Sequence, residues 1–160
     1  MIFVTVGMHT KGFDRLLKKM DEIAGVLGEE VMMQIGHSGF RPQNAKWFDF
    51  TTETGIKEWC KKARVVVTHP AMSIIDAQEQ GTPAIVVPRL QRYNEVIDDH
   101  QLDFAKELEK EGKVIAVYDV DNLEAALRKV DLKTPQLTKD KRLVNALRKY
   151  IAQFEGAGNP

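Results

Sequence analysis

Residues 65–101 read VVVTHPAMSIIDAQEQGTPAIVVPRLQRYNEVIDDHQ, and this stretch indicates the fold. It holds two runs of β-branched residues, which predict two buried strands, separated by a segment of helical length. A polar turn follows the first run, and a polar loop ending in Asp98-Asp99-His100-Gln101 follows the second. Because open α/β sheets bind ligands at the carboxyl ends of their strands, both polar segments mark a candidate binding edge.

The alternation of strands and helices continues on both sides of this stretch. Further strands are predicted at 2–6, 30–35, 46–50 and 113–118, and further helices at 13–27, 53–62, 101–110 and 121–130. The pattern predicts an α/β fold, a Rossmann-like three-layer arrangement around a parallel sheet. By analogy with Rossmann-type strand order, the first and fourth strands lie side by side, so the loop at 7–12 faces the turn at 68–73.

The domain organisation is predicted to be one folded unit with an appended helix. Residues 1–132 form the Rossmann-like domain, and residues 133–160 form a linker, an amphipathic helix at 139–154 and a frayed tail. The apolar face of that helix either docks a partner or packs on the chain's own sheet, and the pattern does not separate the two.

Composition excludes several classes of function. Lys plus Arg and Asp plus Glu both number 23, so no net charge favours nucleic acid as a partner. The single Cys60 argues against a disulfide framework and is expected to be a packed thiol in a reducing compartment. Neither a signal peptide nor an apolar run of the ~20 residues needed to span a bilayer is visible. A cytoplasmic protein is therefore expected.

Two strand-to-helix turns carry the first candidate site residues. The turn Thr68-His69-Pro70-Ala71-Met72-Ser73 opens a helix, and its amides suit a phosphate, although Thr68 acting as a simple helix cap fits equally well. The loop Gly7-Met8-His9-Thr10-Lys11-Gly12 lacks the dinucleotide pattern G-x-G-x-x-G, so no nicotinamide cofactor is expected. It remains a candidate for closing over a diphosphate or sugar, with His9 or Thr10 reaching the ligand.

Carboxylates and a histidine follow the turns. Asp76, one turn into its helix, is placed to accept hydrogen bonds from a ribose diol or to complement the helix dipole. A metal site at Asp98, Asp99 and His100 is disfavoured, because adjacent residues of a helix diverge.

These residues resemble the C-terminal, donor-binding half of family 28 glycosyltransferases, in particular small stand-alone subunits of the dolichol-linked GlcNAc transferase and of polysaccharide glycosyltransferases. The matching pieces are FVTVG…FDRL (3–16), QIG (34–36), VVVTH (65–69), SIIDAQEQGTPAIVVPR (73–89) and ExxDDHQ (95–101). The resemblance implies one half of a GT-B fold that binds a UDP-sugar without a tightly bound metal. It also implies a membrane-associated partner subunit and a lipid-linked saccharide acceptor, which would bring the chain to the cytoplasmic face of a membrane. Whether the isolated chain forms homo-oligomers stays open.

The resemblance also assigns roles to individual residues. The turn His69, Pro70, Ala71, Met72 and Ser73 would face the diphosphate, and Asp76 would take the place of the family's ribose-binding acidic residue. His100 and Gln101 would contact the donor sugar, in a pocket shaped by Glu95 to Asp99. Gly7, Met8, His9 and Thr10 would lie at the cleft between donor and acceptor. His9 is a candidate general base, and a base from the partner is the alternative.

Two positions depart from the family pattern. The turn usually reads H-[AG]-G-x-G-S, whereas here it is one residue shorter and has no glycine, and Asp76 replaces Glu. The main prediction is the donor-binding subunit of an inverting UDP-sugar glycosyltransferase, with UDP-GlcNAc or another UDP-hexose as donor. The missing glycines motivate an alternative, a catalytically silent nucleotide-binding or scaffold module. An epimerase or hydrolase of related architecture is disfavoured because the chain lacks a second domain.

Overall fold

The computed structural model describes residues 1–130 and Asn145. Six strands form one sheet in this part of the chain: β1 (Ile2–Thr5), β2 (Val31–Gln34), β3 (Lys46–Phe48), β4 (Val65–Thr68), β5 (Ala84–Val86) and β6 (Ile115–Ala116). The strand order is β3-β2-β1-β4-β5-β6, and every neighbouring pair is parallel. The predicted adjacency of the first and fourth strands is therefore confirmed.

Helices cover both faces of the sheet. They are α1 (Asp14–Leu27), α2 (Glu53–Lys62), α3 (Ser73–Glu79), α4 (His100–Lys110) and α5 (Leu123–Val130). Because side chains alternate along a strand, Ile2 and Val4 join a core under α1 and α5, whereas Phe3 joins a second core under α2, α3 and α4. Cys60 is buried in that second core, as expected of a packed thiol.

The three central strands end level with one another. Thr5, the last residue of β1, pairs with Gln34 at the end of β2 and with Thr68 at the end of β4. The segments that follow these strands therefore begin at the same edge of the sheet, which is the edge predicted to bind a ligand.

The limits of several predicted elements differ from the structure, and β3, for example, ends at Phe48 and not at residue 50. β6 is shorter than the predicted 113–118, because the Lys113 amide donates to the carbonyl of Leu108 and so closes α4 instead of pairing in the sheet. The helix predicted at 121–130, α5, begins at Leu123. It follows a 3-10 turn at Val120–Asn122, in which the Asp121 amide donates to the side chain of Asp119.

The predicted linker and amphipathic helix at 133–160 lie outside the described residues, apart from Asn145. No helix within the described part has both the length and the apolar character that a membrane crossing requires.

Candidate functional site

The loop after β1 is held by one side chain of β2. Gln34 Oε1 accepts hydrogen bonds from the Gly7 amide (3.0 Å) and from the hydroxyl of Thr5 (2.7 Å). Its Nε2 donates to the carbonyls of Gly7 (3.0 Å) and Asp49 (2.8 Å). The oxygen of this buried amide thus accepts two hydrogen bonds and its nitrogen donates two. Two of these four bonds hold Gly7, one at its N–H and one at its C=O.

Gly36 lets the loops after β1 and β2 approach each other. Its φ is +53°, a left-handed conformation that glycine adopts readily, and a Cβ built there would lie 2.5 Å from the Gly7 carbonyl oxygen. The close approach of these two backbones therefore requires glycine at position 36.

A buried arginine supports the loop from the side of β5. Arg89 is 1% exposed, and its guanidinium donates to the carbonyls of Val6 (2.9 Å), Lys11 (3.0 Å) and Gly12 (2.8 Å). The guanidinium also lies over the Phe13 ring, 4.6 Å from its centre. Burial lowers the pKa of Arg89 to about 10, so the group stays charged at neutral pH. A permanent positive charge therefore lies beneath the loop.

His9 and its neighbours form the exposed part of this loop. Met8, His9 and Thr10 are exposed, and the Lys11 amide donates to His9 Nδ1 at 3.1 Å. Partial burial lowers the pKa of His9, and the positive charge of Arg89 lowers it further. The imidazole is therefore neutral at pH 7.

The turn after β4 faces this loop, as predicted. A Cβ on Gly7 would lie 3.1 Å from Cε1 of His69, and the His69 ring meets the edge of Phe13 with 6.4 Å between ring centres. His69 is buried, which together with the charge of Arg89 holds its pKa well below the usual value. Its Nδ1 has no hydrogen-bond partner in the described part of the chain. The ring therefore forms the base of the cleft and does not project from it.

The remainder of the turn arranges hydroxyls and amides. The hydroxyls of Thr68 and Ser73 are 2.7 Å apart, so Thr68 bonds Ser73 and does not cap the helix amides. Pro70 is buried and Met72 packs against the core under α3. Among residues 1–130, the amides of Ala71, Met72 and Ser73 have no protein acceptor.

Asp76 lies on α3 and faces α2. Its Oδ1 is 3.9 Å from Nζ of Lys57, which also pairs with Glu53 (3.0 Å) and Glu79 (3.4 Å). Burial raises the pKa of Asp76 to about 6; Lys57 opposes this rise, and the two glutamates add to it. One ammonium shared by three carboxylates leaves Asp76 incompletely compensated, which is typical of a functional carboxylate as well as of structural clusters.

The loop after β5 is tied to α1 by an ion pair. Arg15 donates to both carboxylate oxygens of Glu95, each at 2.9 Å, and to the carbonyl of Pro88. Glu95 also accepts from the Leu90 amide at 2.9 Å and is buried. With both oxygens engaged in this way, Glu95 holds the loop after β5 against α1.

The start of α4 is also organised by side-chain bonds. Asp98 Oδ1 lies 2.7 Å from His100 Nδ1, and Asp99 accepts from the Gln91 amide at 2.8 Å. No group of three His, Cys, Asp or Glu side chains in the described part of the chain is arranged to hold a metal ion.

Gln101 is oriented by the backbone of Arg89. The Arg89 amide donates to Gln101 Oε1 at 3.1 Å, which fixes the side-chain carbonyl. The amide nitrogen has no partner among residues 1–130, so Gln101 presents a hydrogen-bond donor.

An open cavity of about 670 Å³ lies beside the site, between α1 and the loop after β5. Its lining includes Lys11, Arg15, Lys18, Tyr93 and Glu95. Because Lys11 belongs to the loop after β1 and Glu95 to the loop after β5, the cavity adjoins the candidate site on the side of α1.

Sequence reasoning missed three residues that build the site, namely Arg15, Gln34 and Arg89. Each occurs in a quoted motif, FDRL, QIG or VVPR, but none was given a role. For Gln34 and Arg89 the available signal was a polar or charged residue at or just after the end of an apolar strand, whereas Arg15 lies on α1, where a charged residue is ordinary and gave no such signal.

Comparison with known proteins identifies the family. The glycosyltransferase family 28 C-terminal domain matches residues 1–154. The UDP-N-acetylglucosamine transferase subunit ALG13 of Homo sapiens is 31% identical over 123 residues, covering 69% of this chain and 10% of that protein. The Mus musculus protein of the same name is 30% identical over 122 residues, with the same coverage. This chain thus spans about a tenth of the length of these curated relatives.

Solved structures share the fold at lower identity. The glycotransferase of kitacinnamycin superposes with a TM-score of 0.59 at 19% identity, covering 99% of this chain and 40% of that one. CalG4, the calicheamicin glycosyltransferase, gives a TM-score of 0.59 at 17% identity, covering 99% of this chain and 38% of that one. The predicted fold, a Rossmann-like parallel sheet that corresponds to one half of a GT-B fold, is confirmed.

Proposed function

Since the chain belongs to the glycosyltransferase family 28 C-terminal domain family, we propose that it binds the UDP-sugar donor of an inverting glycosyltransferase. The observation that carries the proposal is the pairing of two loops at the junction of β1 and β4. One loop is fixed by Gln34 and Arg89, and the other offers three amides that have no acceptor among residues 1–130. Ligands of open α/β sheets bind in such a crevice.

The donor's diphosphate is assigned to the turn His69–Ser73. Backbone amides bind phosphate oxygens, and those of Ala71, Met72 and Ser73 are available for this. Because the turn has no glycine, its side chains could obstruct the approach of a diphosphate to the backbone. Two of them are taken up by packing, since Met72 packs against the core and Pro70 is buried. We propose that these amides stabilise the charge of the leaving UDP without a tightly bound metal.

The nucleoside and the sugar are assigned to the neighbouring residues. Asp76 would accept hydrogen bonds from the ribose hydroxyls, and Gln101 would donate to hydroxyls of the sugar together with His100. Since the relatives are named UDP-N-acetylglucosamine transferase subunits, UDP-GlcNAc is the first donor to test.

A second protein is proposed to supply the acceptor site. Its support is that the relatives are named as subunits of a transferase. The loops after β1 and β5 expose Met8 (77%) and Ile97 (78%), apolar side chains suited to a protein contact at this edge. We propose a membrane-associated partner that binds a lipid-linked acceptor, which would place this chain at the cytoplasmic face of a membrane.

Calorimetric titration of the full chain with UDP, UDP-GlcNAc and UDP-glucose tests the proposal. Binding of UDP, and sugar transfer once the partner and a lipid-linked acceptor are added, are expected. Failure to bind any of them, alone or with the partner, would exclude the donor-binding role. Binding without transfer in the complete system would instead favour the silent nucleotide-binding module.

Asp76→Asn is expected to weaken UDP binding about tenfold or more, because hydrogen bonds to a charged group are stronger than those to a neutral one. The same change should raise the stability of the chain at pH 7, since it removes an incompletely paired carboxylate. Titration and thermal unfolding measure the two effects.

Glu79→Gln is the matched control, because Glu79 belongs to the same helix and pairs with the same Lys57. It should leave UDP affinity within about twofold of the parent. Equal affinity in the parent and Asp76→Asn would contradict the ribose assignment.

Donor affinity is expected to fall as the pH drops through about 6, the pKa of Asp76. The ionised carboxylate accepts two hydrogen bonds from a diol, and at about pH 5 only about a tenth of it remains ionised, so affinity should be about tenfold lower than at about pH 8. The probe is UDP-GlcNAc, because the terminal phosphate of UDP itself titrates near pH 6.

Asp76→Asn should abolish most of this pH dependence. For stability the sign is opposite: because folding raises the pKa of Asp76 above the usual 3.8, its favourable contribution is full below that value and is lost as the pH rises through about 6. A pH dependence of affinity that persists in Asp76→Asn would assign it to another group.

A further inference from the structure

The hydrogen bond between Lys11 and His9 determines which imidazole nitrogen carries a proton. A backbone amide can only donate, so Nδ1 of His9, which accepts from the Lys11 amide at 3.1 Å, must present its lone pair. In a neutral imidazole the proton is then on Nε2. To act as a general base, Nε2 would have to be unprotonated, with the proton of the neutral ring on Nδ1.

The surroundings of His9 keep the ring neutral. The guanidinium of Arg89 is bound to the carbonyls of Lys11 and Gly12 in the same loop, and Lys11 adds a second positive charge. The third titratable group close enough to interact is His69, which is itself neutral because it is buried. No carboxylate contributes to the environment of His9, and burial and the charge of Arg89 outweigh the hydrogen bond with the Lys11 backbone, which raises the pKa of the ring.

We propose that His9 acts as a hydrogen-bond donor, presenting Nε2–H to a phosphoryl oxygen of the bound nucleoside diphosphate. This inference rests on the proposed donor-binding function and assigns His9 a role different from that of general base. The proton that leaves the acceptor hydroxyl must then be taken by another group, which fits an enzyme completed by a partner subunit.

A phosphoryl oxygen is the ligand atom that suits this position. His9 follows β1 and lies across the junction from the turn after β4, to which the diphosphate is assigned. An N–H donor held above a buried cation favours an anionic oxygen over a neutral hydroxyl. Nε2 has no partner among residues 1–130, so the bond remains available for a ligand.

Nuclear magnetic resonance of the full chain labelled with ¹⁵N-histidine tests the proton position directly. The chain has four histidines, and His9→Gln identifies the signal of His9 by its loss. We expect a neutral ring protonated at Nε2 at about pH 7.5. A ring protonated at Nδ1, or at both nitrogens, would overturn the inference.

Titration with UDP tests the ligand contact. His9→Ala should weaken binding about tenfold, whereas His9→Gln, whose amide keeps an N–H donor at a similar distance from the backbone, should stay within about threefold of the parent. His37→Gln is the control, because this exposed ring contacts Phe50 and has no assigned role. Parent-like binding by His9→Ala, or equal losses in His9→Ala and His9→Gln, would exclude the contact.

The two measurements separate this inference from the proposed function. If the parent fails to bind UDP with or without its partner, the proposed function fails whatever the position of the proton. If the parent binds UDP but the ring is protonated at Nδ1, only the role of His9 is wrong.

Discussion

Arg89→Met is expected to lower the free energy of unfolding by about 3–5 kcal/mol, which corresponds to a fall in melting temperature of roughly 10 °C. The methionine side chain fills the apolar part of the space but cannot donate hydrogen bonds. The carbonyls of Val6, Lys11 and Gly12 then lose their partner, two of them in the loop that carries His9. Urea unfolding of the parent and the variant measures the difference.

Arg128→Met controls for the removal of a positive charge. Arg128 is an exposed helix residue whose ion pair with Glu124 contributes little, so a change within about 0.5 kcal/mol is expected. Arg89→Lys should recover only part of the stability, because an ammonium cannot match three carbonyls held by a planar group. If Arg89→Met were as stable as Arg128→Met, the three hydrogen bonds would contribute no net stability.

Gly36→Ala is expected to lower the free energy of unfolding by about 2–4 kcal/mol. The new methyl group would lie 2.5 Å from the Gly7 carbonyl oxygen, and a left-handed residue other than glycine adds about 1–2 kcal/mol of backbone strain. Since Gly7 is held by Gln34, the backbone cannot move away without breaking those bonds.

Gly28→Ala is a matched control for this variant. Gly28 has a φ of +68°, but a Cβ there would meet no atom within 4 Å. It should lose only the strain term of about 1–2 kcal/mol. The excess loss in Gly36→Ala measures the contact with Gly7. Equal losses in the two variants would mean that the loop adjusts freely.

The strands and helices could be predicted from the sequence, because apolar strands and helical spacing are local patterns, whereas the strand order was predicted by analogy with Rossmann-type sheets. The run from Val65 to Thr68 is buried as expected of a strand, and α1, which was expected at 13–27, buries Leu16, Leu17 and Met20 at helical spacing. The limits of short edge elements could not be predicted in this way. Whether Lys113 joins a strand or closes α4 depends on one tertiary choice of hydrogen-bond partner.

The position of the site could be predicted from the sequence, but the side-chain contacts that hold its loops could not. The sequence indicated that the loop at 7–12 meets the turn at 68–73, and Gly7 does approach His69. Which side chains hold the loop depends on contacts between residues far apart in the chain, such as Arg15 with Glu95 and Arg89 with Val6. Spacing along one sequence carries no information about such pairs, so Glu95 was expected only to shape a pocket, with no partner named.

Just beyond the end of β1, the side-chain amide of Gln34 makes the hydrogen bonds to the backbone that a neighbouring strand makes within the sheet. It bonds the N–H and the C=O of Gly7, which belong to two successive peptide planes, so neither plane can flip in the crankshaft motion that glycine would otherwise permit. Any movement at the start of this loop must therefore occur beyond Gly7, at Met8 to Thr10. The start of this loop is ordered when the chain folds, so its conformational entropy is not lost again when a ligand binds.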